Sequence, residues 1–205
     1  MGTPTSVFRD RSDRVTLLNS GRNSTVRFCA YLIVGFFVLA GNGHALELID
    51  EASSDLGSRF FIRIREEMGL AYYVGASQMQ GLAGGLFAFY LGTDPEKVEQ
   101  VKAALLEEVR KLATEGLTAD ELARAKKKLI GQQQIANQSN DSFGYQCALD
   151  ELYGLGFDHY KTLEPDVEKI TLDQVRAVAA KYFRDQPYVL ALVQPPKAGS
   201  TAKEG

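Results

Sequence analysis

Residues Arg65 to Gly75 read R-E-E-M-G-L-A-Y-Y-V-G, and this stretch constrains the fold more than any other. Upstream of it, Phe60, Phe61, Ile64 and Met68 recur at helical spacing on one side, with Arg59, Arg63, Glu66 and Glu67 on the other. Gly69 suits the C-cap of that short helix, because glycine enters the left-handed region without a Cβ clash. Tyr72 to Met79 then reads as a strand, the glycines of Gln80 to Gly85 suit a turn, and Leu86 to Leu91 reads as the return strand. The apolar density of that second strand implies burial on both faces. A helix feeding directly into an antiparallel hairpin must share one core with it.

The remaining segments supply the rest of an α+β layer. Ala45, Leu48, Ile49, Ala52 and Leu56 carry the spacing of an amphipathic helix over 45 to 56. Thr93-Asp94-Pro95-Glu96 starts a helix with proline in its first turn, Val98, Val101, Leu105, Val109 and Leu112 facing inward and Gly116 as its stop. Thr118-x-x-Glu121 is a capping box, in which each side chain satisfies an orphan amide of the other. Its helix carries Leu122, Ala125, Leu129 and Ile130, with a basic face at Arg124, Lys126, Lys127 and Lys128 that reads as a solvated face rather than a phosphate patch. Asn140 to Tyr153 continues as helix up to Gly154 and Gly156, and Thr171-x-x-Gln174 caps a last helix with Val175, Val178, Ala179 and Tyr182 inward. Tyr188 to Val193 is a final strand, closed by Pro195 and Pro196. This order predicts an antiparallel or mixed sheet with helices packed on one face.

The most hydrophobic run, Phe28 to Ala40, is shorter than the ~20 residues that span a bilayer. Five arginines against two aspartates precede it, and Gly41 to Ala45 has the small residues of a cleavage region, so a signal segment or anchor is one reading. Tyr31, Ile33, Val34 and the break at Gly35 favour the other, a buried strand. That reading argues against a membrane anchor and leaves the compartment open between cytoplasmic and periplasmic. Residues 1 to 27 show no periodicity and read as a flexible leader, and residues 196 to 205 as a disordered tail.

Several chemistries lack their parts. A net charge of −3 gives no basic field for nucleic acid. Cys29 and Cys147 make neither a disulfide framework nor a C-x-x-C metal site, and both sit in apolar neighbourhoods where a buried thiol is ordinary. A zinc helix needs two histidines four residues apart, on one face. The chain's two histidines are His44 and His159, and His44-Ala45-Leu46-Glu47-Leu48 begins like H-x-x-E-H but ends in leucine. No G-x-S-x-G and no G-x-G-x-x-G occurs. No catalytic residue and no metal ligand is therefore expected in this chain alone.

Arg65 and Tyr72 remain. Arginine offers a rigid fork of donors to a carbonyl or carboxylate, and a tyrosine hydroxyl can donate to an oxygen that becomes anionic. Both flank one helix-to-strand corner, from which both can point into one cleft. The spacing alone favours a plainer reading, in which Arg65 pairs with a nearby glutamate and Tyr72 packs at the start of its strand.

Three blocks change that balance: G-S-R-F-F-I-R-I-R-E-E-M-G-L-A-Y-Y-V-G-A, then G-G-L-F-A-F-Y-L-G-T-D-P-E-K-V, then G-L-T-A-D-E-L-A-R-A-K-K-K-L-I-G. In this order they resemble the insulinase (pitrilysin) family of zinc metallopeptidases, which includes mitochondrial processing peptidase, and specifically its C-terminal half. The resemblance covers residues 28 to 195, taken as one domain. It implies one α+β half of a clamshell whose other half carries zinc through H-x-x-E-H. It also implies that Arg65 and Tyr72, from the R-x-x-x-G-L-A-Y block, hold a polypeptide substrate against that zinc. Tyr73 is one step further and faces the opposite side of its strand. The implied function is the substrate-binding, zinc-free half of a metalloendopeptidase, with no cofactor of its own and a zinc-bearing homologous half as partner. The polypeptide is expected along a sheet edge as an added strand. The chain also fits a structural or interaction subunit, or a fragment of such a peptidase, and a self-complementary pair of two copies is geometrically available.

Overall fold

The central strand explains the apolar run. In the computed structural model, which describes residues 7–9, 14–19, 30–38, 43–81 and 84–194, β3 (Ala30–Val38) pairs on both sides. Ala30, Leu32, Val34, Phe36 and Val38 are buried on one face, while Ile33 and Phe37 emerge on the other. Alternation of this kind is what a sheet covered on one side requires. The strand reading therefore holds for Ala30–Val38, and no helix among the described residues is long and apolar enough to cross a membrane.

The hairpin is β4 (Tyr73–Gln80) and β5 (Gly85–Thr93), antiparallel in a register that sets Tyr73 opposite Gly92 and Gln80 opposite Gly85. β5 pairs with β3, and β3 with β6 (Val189–Gln194), so these four strands are antiparallel throughout. The leader supplies two more. β1 (Val7–Arg9) and β2 (Arg14–Asn19) pair with each other, and β2 joins β6 in parallel, giving the order β1-β2-β6-β3-β5-β4. For these residues the expected loose leader is replaced by sheet pairing. Cys29, Pro195, Pro196, the tail 196–205 and the middle of the hairpin turn lie outside the described residues.

The helices are α1 (Gly43–Ser53), α2 (Val98–Glu115), α3 (Ala119–Ala136), α4 (Asn140–Leu152), α5 (Leu163–Lys169) and α6 (Leu172–Phe183). They cover one face of the sheet. Both capping boxes form, Thr118 with Glu121 and Thr171 with Gln174. The core is aromatic where helix meets sheet: Phe60 stacks on Phe89 at 5.0 Å, and Phe183 lies 5.1 Å from both Phe36 and Phe87. Full burial of each such ring contributes about 2 to 3 kcal/mol.

The other face is open. Ile33, Phe37, Met79, Leu86 and Val189 are all at least 40% exposed there, so β5 is not buried on both sides as its composition suggested. Its apolar residues on this face are instead partly roofed by tyrosines. Tyr73 lies flat over Gly92, where a Cβ would meet the ring at 2.5 Å, and neighbours Tyr31 and Tyr90 at 6.3 and 6.2 Å.

Candidate functional site

The corner that leads into β4 is built from an unusual helix. Phe61–Glu67 winds as a π-helix, with Met68 N–H donating to the Arg63 carbonyl at 3.2 Å. Such wide turns are rare and concentrate at functional positions. Phe60, Phe61 and Ile64 point into the core, as their spacing predicts. Gly69 ends the turn at φ +60°, the left-handed conformation expected of a C-cap glycine. Gly69 N–H donates to the Arg65 carbonyl at 3.1 Å and Leu70 N–H to the Ile64 carbonyl at 3.0 Å, which folds the chain back on itself.

Three bonds fix this corner to the end of β5. The buried Thr93 hydroxyl donates to the Leu70 carbonyl, Tyr72 N–H donates to the Gly92 carbonyl at 2.8 Å, and Lys97 Nζ donates to the Gly69 carbonyl at 3.1 Å. Lys97 belongs to the 3-10 turn Pro95–Lys97, whose start is capped by Asp94 accepting from Glu96 N–H.

Arg65 and Tyr72 come together on this corner. Both line one cavity of about 240 Å³, with Glu66, Gly69, Asp94 and Lys97 also in its wall. The Arg65 guanidinium lies over the Phe61 ring at 4.7 Å, and its nearest carboxylate, Glu66, is 3.9 Å away. That separation is loose for an ion pair, and both side chains are largely solvated, so the pairing contributes little. Its neighbour Arg63, by contrast, is tied to Glu67 at 2.8 Å. Tyr72 is 55% exposed. Tyr73 is directed to the open sheet face and joins the tyrosine roof, away from the Arg65 cavity lining. Two larger clefts of about 440 Å³ include neither Arg65 nor Tyr72 in their walls.

Chemically this corner can grip. A guanidinium fork, an ammonium and a phenol hydroxyl offer donors to a carbonyl or carboxylate. The site residues supply no set of metal donors. Among the described residues no three His, Cys, Asp or Glu side chains gather where they can hold a metal. His44 Nδ1 contacts Glu47 Oε2 at 2.8 Å, a hydrogen bond that raises the imidazole above its usual 6.5, and Leu48 is fully buried in the core. A second ligand is thus replaced by a core side chain, and zinc does not fit here. On the basic helix face, Lys128 pairs with Glu51 at 2.8 Å, and Lys126 donates to the Glu168 carbonyl at 2.7 Å.

Sequence reading missed the way α1 covers the outer edge of β4. Ser54 Oγ accepts from Ala76 N–H at 2.9 Å, and Asp50 Oδ2 accepts from Gln78 N–H at 3.2 Å. Burial, the larger influence, raises Asp50 above its usual 3.8, against the Ser54 hydrogen bond, which lowers it. A side chain reaching an edge strand 22 or 28 residues away leaves no local pattern in the sequence. Lys97 was likewise hidden, as one more polar residue at a helix start.

Known proteins carry the same arrangement of elements. A peptidase M16 inactive domain from Pseudomonas fluorescens superposes with a TM-score of 0.76 over 91% of this chain and 44% of that one, at 21% identity, which establishes the fold. The chain is 28% identical over 173 residues to a Bacillus subtilis protein described as the uncharacterized zinc protease YmxG, covering 81% of this chain and 41% of that protein. It is 30% identical over 128 residues to a Helicobacter pylori protein described as the non-peptidase homolog YmxG, covering 58% of this chain and 28% of that one. The chain thus spans less than half the length of the curated relatives it matches. Residues 27–129, half of the chain, match the peptidase M16 inactive domain, the family resemblance read from the sequence, and the chain belongs to that family.

Proposed function

We propose that this chain is the substrate-binding half of a metalloendopeptidase and acts on polypeptides together with a zinc-bearing partner half. The observation that carries the reading is the shared cavity of Arg65 and Tyr72 on a pinned corner. Arg65 and Tyr72 hold the substrate backbone, with the phenol hydroxyl donating to the carbonyl oxygen that gains charge. Metal and general base belong to the partner, since no side-chain set among the described residues fits a metal.

An added substrate strand has limited room on β4. The edge amides of Ala76 and Gln78 are occupied by Ser54 and Asp50. By the two-residue alternation of an antiparallel strand, Val74 presents its backbone to the same edge. The polypeptide therefore pairs only with the first residues of β4, beside Tyr72, and runs from there into the Arg65 cavity.

A second reading is a structural subunit without proteolysis, which the likeness to a non-peptidase homolog favours. Affinity capture of the tagged chain from its native lysate, followed by a peptide-hydrolysis assay on what is recovered, separates the two. A co-purifying chain with H-x-x-E-H, active only as the pair, supports the peptidase half. Recovery of the chain alone, stable and without activity, or with an inactive partner, overturns it in favour of the structural subunit.

A further inference from the structure

We propose that Lys97 is a specificity residue of the Arg65 cavity and receives a carboxylate of the bound polypeptide. The inference rests on the substrate-binding reading and adds the substrate's chemistry to it. Lys97 Nζ has one acceptor, the Gly69 carbonyl at 3.1 Å, and no carboxylate lies within 4 Å of it among the described residues. An ammonium has three donors, so two remain for solvent or a ligand. Lys111, further along the same stretch, differs: it holds Glu108 at 2.8 Å and Glu107 at 3.1 Å.

The geometry of the wall points the same way. Arg65 and Lys97 flank one cavity of about 240 Å³, room for one side chain or a chain terminus. Arg65 is stacked on Phe61, which orients its fork, and its contact with Glu66 is loose at 3.9 Å. Asp94, the other acid in the wall, spends its Oδ1 on the cap of the 3-10 turn, accepting from Glu96 N–H at 3.1 Å. Two cations, Lys97 with no carboxylate within 4 Å among the described residues and Arg65 with only the loose contact to Glu66, lie beside a phenol hydroxyl and match an anionic group with several acceptor oxygens. The Gly69 bond also sets the ammonium in place before binding, which lowers the ordering cost of its flexible stem.

The chemistry is shared by two sources, a Glu or Asp side chain and a free C-terminal carboxylate. Fluorescein-labelled decapeptides in three forms distinguish them: one amidated with a central Glu, one amidated with Gln in its place, and the Gln peptide with a free C-terminus. Binding to the full chain is read by fluorescence anisotropy at low salt. At least one carboxylate peptide is expected to bind about fivefold tighter than the amidated Gln peptide. Preference for the Glu form assigns the side chain, and preference for the free C-terminus assigns the terminus. Lys97→Ala is expected to level the series by weakening only the favoured peptide, and Lys97→Arg to restore the preference. Arg65→Ala is expected to weaken all three. Equal binding of the three peptides by the wild type overturns the role of Lys97 alone. Uniform weakening by Lys97→Ala does the same, since it reduces Lys97 to a pin for Gly69. Absence of any peptide binding overturns this inference and the substrate-binding reading together.

Discussion

The Ser54 hydroxyl straddles the backbone of Ala76: it accepts from the Ala76 amide at 2.9 Å and lies 3.0 Å from the Ala76 carbonyl oxygen. It lies 2.9 Å from Asp50 Oδ1 as well, so its single proton has two acceptors within reach. The residue just past the end of α1 thereby occupies the open side of an edge strand, where an unpaired backbone would otherwise recruit another chain.

Ser54→Ala removes that cover. It is expected to cost about 1 to 2 kcal/mol, the usual loss for a partly buried hydrogen-bond partner. The variant is also expected to self-associate with rising concentration through β4. Sedimentation velocity over a concentration series checks this, and sedimentation and unfolding stability both unchanged from wild type would remove the edge-covering role.

The pair between Arg59 and Glu121 ties the segment before the π-helix to the capping box of α3. Arg59 Nε donates to Glu121 Oε1 at 2.9 Å, its guanidinium also donates to the Gly116 carbonyl, and the two side chains are only 17% and 11% exposed. Burial pushes the Glu121 carboxyl up, but hydrogen bonds from Arg59 and Thr118 outweigh it and hold the group below its usual 4.5. An acid with a lowered folded value adds stability above its unfolded value and loses it as pH falls through the folded one. Arg59→Ala is expected to cost about 3 kcal/mol at neutral pH, because it strands a buried carboxylate. It should also flatten the acid limb of the stability curve below about pH 4.5. Urea unfolding of both proteins across that range checks it, and parallel curves would contradict the account.

Gly69→Ala isolates the conformational demand of the corner. A Cβ there meets nothing within 4 Å, so only the positive φ resists it. The expected cost is about 1 kcal/mol, or roughly 2 to 4 °C in melting temperature for a chain of this length. A loss several times larger, measured by calorimetry, would mean that the corner carries contacts not accounted for.

Much of this architecture was legible because it is local. The apolar spacing of α2 and the two capping boxes each leave a fixed offset in the sequence, and each formed where read. Arg65 and Tyr72 line one cavity for an equally local reason, since only seven residues and one left-handed glycine separate them. What escaped notice depends on contacts between distant segments. Nothing near Arg14–Asn19 announces a parallel partner in Val189–Gln194, and nothing near Ser54 announces Ala76. The π-helical winding of Phe61–Glu67 was hidden as well, because its apolar residues also fit α-helical spacing.

The most direct test of the account is turnover by the chain reconstituted with the zinc-bearing half proposed as its partner, comparing wild type with Arg65→Ala and Tyr72→Phe. Both side chains are well exposed, so each variant is expected to keep its fold, with stability changed by less than about 0.5 kcal/mol. Peptide hydrolysis is expected to fall about 100-fold in kcat/KM for Tyr72→Phe, the scale seen when one donor to a developing oxyanion is removed. Arg65→Ala should fall further, through KM as well as kcat. Unchanged kinetics in both variants would contradict the account and remove this corner from the substrate site.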